Sequence, residues 1–247
     1  MKSKFLLGAA IAMALTATAG AHAKPTPVQL AAVADKGRPE ADTKRDDARK
    51  PAEMLDFAGV KPGQTVVDLI PGGGYFTRIF SKAVGPKGTV YAVSGPPRPG
   101  STPAQDTIAA DANYSNVKSI HAPLAGGLSI PTQADIVWTS QNYHDVKNVP
   151  NIDMLAFNKA IFNSLKPGGE FIVLDHVANA DTANATSTVH RIDPAVVKKE
   201  VEAAGFKFEG ESKALANPAD DHKGRSTDDG PLRGHTDQFI YKFRKPK

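Results

Sequence analysis

A short β-branched run, Thr65 to Ile70, is followed at once by Pro71 and three glycines, Gly72 to Gly74, and then by an amphipathic segment from Tyr75 to Val84. An apolar run bounded by turn residues reads as a buried strand, and the longer period behind it as a helix. The unit recurs. Thr89 to Val93, Val117 to Ile120, Asp135 to Thr139 and Phe171 to Asp175 read as further strands, with Ala104 to Ala112 and Ile152 to Leu165 as helices. Asp193 and Pro194 form an N-cap with proline at the first helical position, and Gly205 lies past the last turn, framing a helix to Ala204. Phe206 to Ser212 and Gln238 to Phe243 finish as two strands. Strands alternating with helices require right-handed crossovers and a mostly parallel sheet covered on both faces. The expected fold is a Rossmann-like α/β sandwich.

The flanks read differently. Lys2 and Lys4 precede an apolar stretch from Phe5 to Leu15, and Ala21-His22-Ala23 carries small residues where signal peptidase reads them. Charged start, short apolar stretch and A-x-A site predict a signal peptide, residues 1–23, cleaved after Ala23, and a periplasmic or secreted protein. The apolar run is too short to span a bilayer, so no membrane span is expected after cleavage. Residues 24–50 are polar, with mixed charges and prolines at 25, 27 and 39, and read as an arm with a short helix or two ahead of the domain at 51–247. Between the last two strands a polar loop runs from Ala214 to Thr236, long enough to predict a lid or disorder.

Composition removes several chemistries. With no cysteine, thiolate nucleophiles, disulfides and cysteine-held metals are excluded. The formal charge is +4, and discounting Lys2 and Lys4 leaves 28 basic against 26 acidic residues. That balance, without a basic stripe bearing aromatics, predicts no nucleic-acid partner. There is no P-loop, no G-x-S-x-G, and Thr77 stands where a dinucleotide fingerprint needs glycine or alanine. The histidines 121, 144, 176, 190, 222 and 235 are scattered, no paired metal-ligand motif occurs, and Asp220-Asp221-His222 reads as a solvated loop. In a doubly wound sheet, ligands bind beyond the carboxyl ends of the strands where the strand order reverses. The Pro71–Gly74 turn borders that crevice, its glycines allow close backbone approach, and the following helix offers free N–H groups. The loop Gln141 to Asp145 leaves its strand at the same edge. There His144 is a candidate general base with Asp145 or another carboxylate orienting it, and Asn142 and Tyr143 could position an acceptor. Asp175 and His176 read as a satisfied strand-end pair or as lining of the same crevice, and Trp138 and Phe171 as core.

These residues resemble a known family. Val67-Asp-Leu-Ile-Pro-Gly-Gly-Gly74 looks like the first motif of class I S-adenosylmethionine-dependent methyltransferases, Asp135 to Trp138 resembles their fourth strand, and Leu165-Lys-Pro-Gly-Gly169 is similar to the segment before their fifth. With Asn142-Tyr-His-Asp145 and Arg233-Gly-His-Thr-Asp237, the chain from Arg45 to Pro246 resembles a family of predicted, often exported, bacterial methyltransferases. The resemblance implies a seven-stranded sheet with an antiparallel last strand, S-adenosylmethionine as cofactor and a methyl acceptor as partner. It implies Asp68, Gly72, Gly73 and Gly74 at the cofactor's methionine portion. The family's first glycine falls on Ile70, its ribose-gripping acid on Ser94 and its adenine-facing acid near Ala122. The reading that competes with an enzyme is a non-catalytic binding protein on the same fold.

Overall fold

The computed structural model describes residues 24–123, 128–227, 232 and 234–247. The expected signal peptide, part of the 214–236 loop and Arg233 lie outside them.

The polar arm folds into α1 (Pro27–Val33), α2 (Glu40–Thr43) and α3 (Asp46–Arg49), which lead into α4 (Pro51–Phe57). Thr26 and Gln29 form a capping box at α1, and Gln29 Nε2 donates to Leu55 O and Val60 O at 3.2 and 3.0 Å, tying the arm to α4. Then follow β1 (Thr65–Leu69), α5 (Tyr75–Val84), β2 (Thr89–Ser94), α6 (Ala104–Ala110), β3 (Val117–His121) and β4 (Ala134–Ser140). The second half holds α7 (Tyr143–Val146), α8 (Met154–Ser164), β5 (Leu165–His176), α9 (Ala185–Thr188), α10 (Pro194–Ala203), β6 (Lys207–Ser212) and β7 (Gln238–Arg244). Asp153 caps α8 and Asp193 caps α10, as side chains that accept from backbone N–H groups of the first turn.

All seven strands form one sheet, ordered β3-β2-β1-β4-β5-β7-β6. Neighbours from β3 to β5 run parallel, and β7 is antiparallel to both β5 and β6. The order reverses between β1 and β4, so the ligand crevice of this sheet class opens there. Alternate residues divide the core into two layers. Val66, Val90, Trp138 and Ile172 pack on one side with Phe76 and Phe80 of α5, and Val67, Val137, Phe171 and Val173 on the other with Phe157, Ile161, Val197 and Val201. Trp138 lies 4.7 Å from Phe76, centroid to centroid, and both Trp138 and Phe171 are fully buried.

Three expectations change. β5 starts at Leu165 instead of Phe171, because Leu165 already pairs with Ala134 and the Lys166–Gly169 turn is a bulge within the ladder. Residues 143–146 form a helical turn where a loop was expected. Asp220 is not solvated. It forms a bidentate ion pair with the equally buried Arg191 at 2.8 and 3.1 Å and accepts from the backbone of Asp237 and His222.

Candidate active site

A cavity of about 600 Å³ opens at the switch point. Its walls include Asp68 of β1 with Ile70 to Gly73 after it, Ser140 at the end of β4 with Gln141 and Asn142 beyond, His144 and Asp145 of α7, and His176 at the end of β5. Arg45 and Arg49 of the arm, Tyr75 and Phe76 of α5, and His190, Ser226 and Thr227 complete them.

The β1 turn is held in an uncommon conformation. Ile70, standing where the resembled motif has glycine, adopts φ +59°, and Gln141 across the cavity adopts φ +60°. A left-handed backbone costs an ordinary residue roughly 1–2 kcal/mol, so neighbouring bonds must hold it. Ile70 N donates to Val93 O and Gln141 N to Leu174 O, each at 2.7 Å. Asn142 then ties the two turns together, its Nδ2 donating to Ile70 O at 2.9 Å and to Ser140 O at 2.7 Å. Both amide hydrogens of Asn142 are thereby committed to backbone. Its place is that of a clamp on the crevice, not of a donor to an acceptor.

Gly72 and Gly73 border the cavity, and a Cβ on either would meet nothing within 4 Å. Gly74 points elsewhere. It has φ +78°, precedes α5, and a Cβ there would lie 2.1 Å from Ile108 Cδ1 of α6. Glycine at 74 answers to core packing.

Asp68 is buried on the α5 side of β1 and accepts a 2.6 Å bond from Thr77 Oγ1. Burial pushes its carboxyl up to about 6, against the opposing pull of the Thr77 hydroxyl and the Arg49 charge. Arg49 reaches in from α3, donates to Ser140 Oγ at 3.0 Å, and stacks 4.4 Å from the Tyr75 ring centroid. Burial, then the neighbouring Arg45, lowers its guanidinium to about 10, so it remains charged at neutral pH. Neither Arg45 nor Arg49 was expected in the site, since both belong to the arm. Their i,i+4 spacing, which places both on one side of a helical turn, was the available signal.

At the other end, His144 Nδ1 lies 2.7 Å from Asp175 Oδ1, and Asp175 Oδ2 accepts from the His144 backbone N–H at 2.9 Å. His144 Nε2 lies 3.3 Å from Asp145. Burial opposes a charged imidazole, yet the two carboxylates hold this one up to about 10. That setting keeps a positive charge on His144, the reverse of what abstracting a proton requires. Asp175 is therefore the partner of His144 and not only of its neighbour. Tyr143 turns into the core, where its hydroxyl donates to Glu200 and accepts from Asn158. Ser94 is not among the cavity's lining residues. Its Oγ donates to Gly95 O and lies 3.3 Å from His121 Nδ1, and His121 in turn contacts Asp106 at 2.9 Å.

The model of the ubiE/COQ5 methyltransferase family matches residues 46–187, more than half of the chain and all of the strands that line the crevice. The chain belongs to that methyltransferase family. No curated protein matches it. Among solved structures it is similar to an S-adenosylmethionine-dependent methyltransferase from Aquifex aeolicus, with TM-score 0.56 and 19% identity over 85% of this chain and 100% of that one. It is also similar to a TehB-like S-adenosylmethionine-dependent methyltransferase from Corynebacterium glutamicum (0.54, 13%, 88% and 94%). A third is an arsenic(III) S-adenosylmethionine methyltransferase from Chlamydomonas reinhardtii (0.53, 19%, 90% and 74%). At these identities the likeness is one of fold. As a class I methyltransferase the chain takes S-adenosylmethionine, and its residues fit that cofactor's amino-acid end. A buried carboxylate, Asp68, and the half-buried guanidinium of Arg49 share one cavity with the open Gly72–Gly73 backbone, matching an ammonium and a carboxylate on one ligand.

Proposed function

We propose that the protein is an exported methyltransferase that transfers a methyl group from S-adenosylmethionine within this cavity. The observation that carries the reading is the opposed charge of Asp68 and Arg49 at the switch point of a methyltransferase-family sheet. Bound there, the cofactor supplies an electrophilic methyl group on a sulfonium. The protein's own task is then mainly positioning. Asp68 holds the ammonium, Arg49 the carboxylate, and Gly72 and Gly73 let the ligand lie close to the backbone. Asn142 fixes the spacing of the two turns, and the acceptor enters at the end lined by His144, Asp145, His176 and His190. Export rests on the Lys2–Ala23 segment. Among the described residues no helix is long and apolar enough to cross a membrane.

Calorimetric titration of the chain with S-adenosylmethionine and S-adenosylhomocysteine tests the reading. Saturable binding of one equivalent of each is expected, lost in Gly73→Val, whose added atoms enter the cavity. A parent that binds neither at millimolar ligand refutes the enzyme reading in favour of the non-catalytic one.

A further inference from the structure

The acceptor end of the cavity gathers side chains that the sequence keeps far apart. His144 and Asp145 stand on α7, and His190 follows α9 in the segment leading to α10. Asp145 Oδ1 lies 3.3 Å from His144 Nε2 and 3.4 Å from His190 Nδ1, and one ligand atom from each of the three residues falls within 4.8 Å of the others. A tetrahedral ion with bonds of about 2.1 Å to nitrogen and oxygen separates neighbouring ligand atoms by roughly 3.4 Å. The two distances to Asp145 already have that value.

The surroundings supply what such a centre needs beyond its ligands. A metal-bound imidazole usually gives its other N–H to a carboxylate, which fixes tautomer and ring orientation. His144 Nδ1 meets the fully buried Asp175 at 2.7 Å, and Asp175 is itself fixed by the backbone N–H groups of His144 and His176. The remaining nitrogen, Nε2, is the one that faces Asp145, and a metal bound there takes the place of its proton, which is released to solvent. His190 holds φ +51°, a strained backbone that aims its ring into the group, 5.5 Å from the His144 ring centroid. Its Nε2 contacts the exposed Arg225. With Nδ1 on a metal the proton moves to Nε2, so Arg225 must turn into solvent. Two carboxylates, Asp145 and Asp175, offset a divalent charge here against Arg45 and Arg49 of the same cavity.

We propose that His144 Nε2, Asp145 and His190 Nδ1 form a binding site for a divalent transition cation of the zinc class, with a remaining coordination position open to the cavity. Imidazole with one carboxylate suits zinc or cobalt(II) over magnesium or calcium, which prefer oxygen ligands.

The test uses the purified chain, stripped with a chelator and titrated with cobalt(II). One equivalent should bind and produce the visible spectrum of a four-coordinate ion, and zinc should displace it. His190→Gln and Asp145→Ala, both away from the core, should each weaken cobalt binding at least tenfold while melting like the parent. Asp175→Asn, if folded, should weaken it by about 10–100-fold. Absence of a cobalt spectrum in the parent, or equal affinity in both His190→Gln and Asp145→Ala, overturns the site. The titration needs neither cofactor nor acceptor, so its outcome is separate from that of the methyl-transfer reading.

Discussion

Gly74 and Ile108 make a quantitative pair. Substituting Gly74 by alanine places a Cβ 2.1 Å from Ile108 Cδ1, at a residue with φ +78°. The left-handed backbone costs alanine roughly 1–2 kcal/mol, and overpacking a well-filled core about 1–3 kcal/mol. Alanine's smaller unfolded-state freedom returns ~0.4–1 kcal/mol. Gly74→Ala should therefore lose about 1–5 kcal/mol, with Tm lower by roughly 2–4 °C for each kcal/mol in a domain of this size. Ile108→Val deletes the clashing methyl and by itself costs about 0.5–1.5 kcal/mol. In the double variant the overpacking is gone and only the backbone strain and the missing methyl remain. The double-mutant cycle, measured by urea unfolding, should thus show a favourable coupling of at least ~1 kcal/mol. Gly73→Ala is the control, since its Cβ meets nothing within 4 Å, and should melt like the parent. An additive cycle, or a Gly74→Ala protein as stable as the parent, would refute the packing argument.

Three further outcomes are expected. Asp220→Ala leaves the Arg191 guanidinium buried and unpaired, so it should cost about 3–5 kcal/mol in denaturant unfolding; a loss under 1 kcal/mol would mean that water or another group replaces the carboxylate. Because burial holds Asp68 near 6, its carboxylate is lost as pH falls below that value. Cofactor affinity should then drop about tenfold per pH unit below 6 and stay level above it, and a flat calorimetric profile from pH 7 to 5 would remove Asp68 from the binding site. Intact mass spectrometry of exported material should show a chain that starts at Lys24; an uncleaved Met1 chain would contradict export.

The sheet was legible because its signals are local. The β-branched runs, the N-cap and proline of Asp193 and Pro194, and the glycines after β1 and α10 each act through their own backbone, so the elements fall within a few residues of their expected places. β5 was foreshortened because its first residues are a bulge, and what keeps them in the sheet is pairing with β4, which no local pattern reports. The crevice was legible in outline for the same reason as the sheet, since topology alone says where it opens. Its chemistry was less so. Asp68, Gly72, Gly73, His144 and Asp145 were singled out and line the cavity, whereas Tyr143, Gly74 and Ser94 face neighbours elsewhere. Arg49 was hidden because it belongs to the arm, and its use depends on α3 folding back over Tyr75. His190 lies 46 positions beyond His144, and long-range contacts bring the two together, the bridge of Val177 just past β5 to Ile192 and the bonds between Asn148 and Thr186 of α9 among them.

The central claim is that Asp68 and Arg49 grip the amino-acid end of the cofactor. One titration addresses it directly, comparing S-adenosylhomocysteine with 5′-methylthioadenosine, which keeps the adenosine but lacks the ammonium and carboxylate. Each charge-assisted hydrogen bond contributes about 1.5–3 kcal/mol, so the homocysteine compound should bind at least tenfold more tightly. Equal affinities would contradict the account and put the binding determinants elsewhere on the sheet edge.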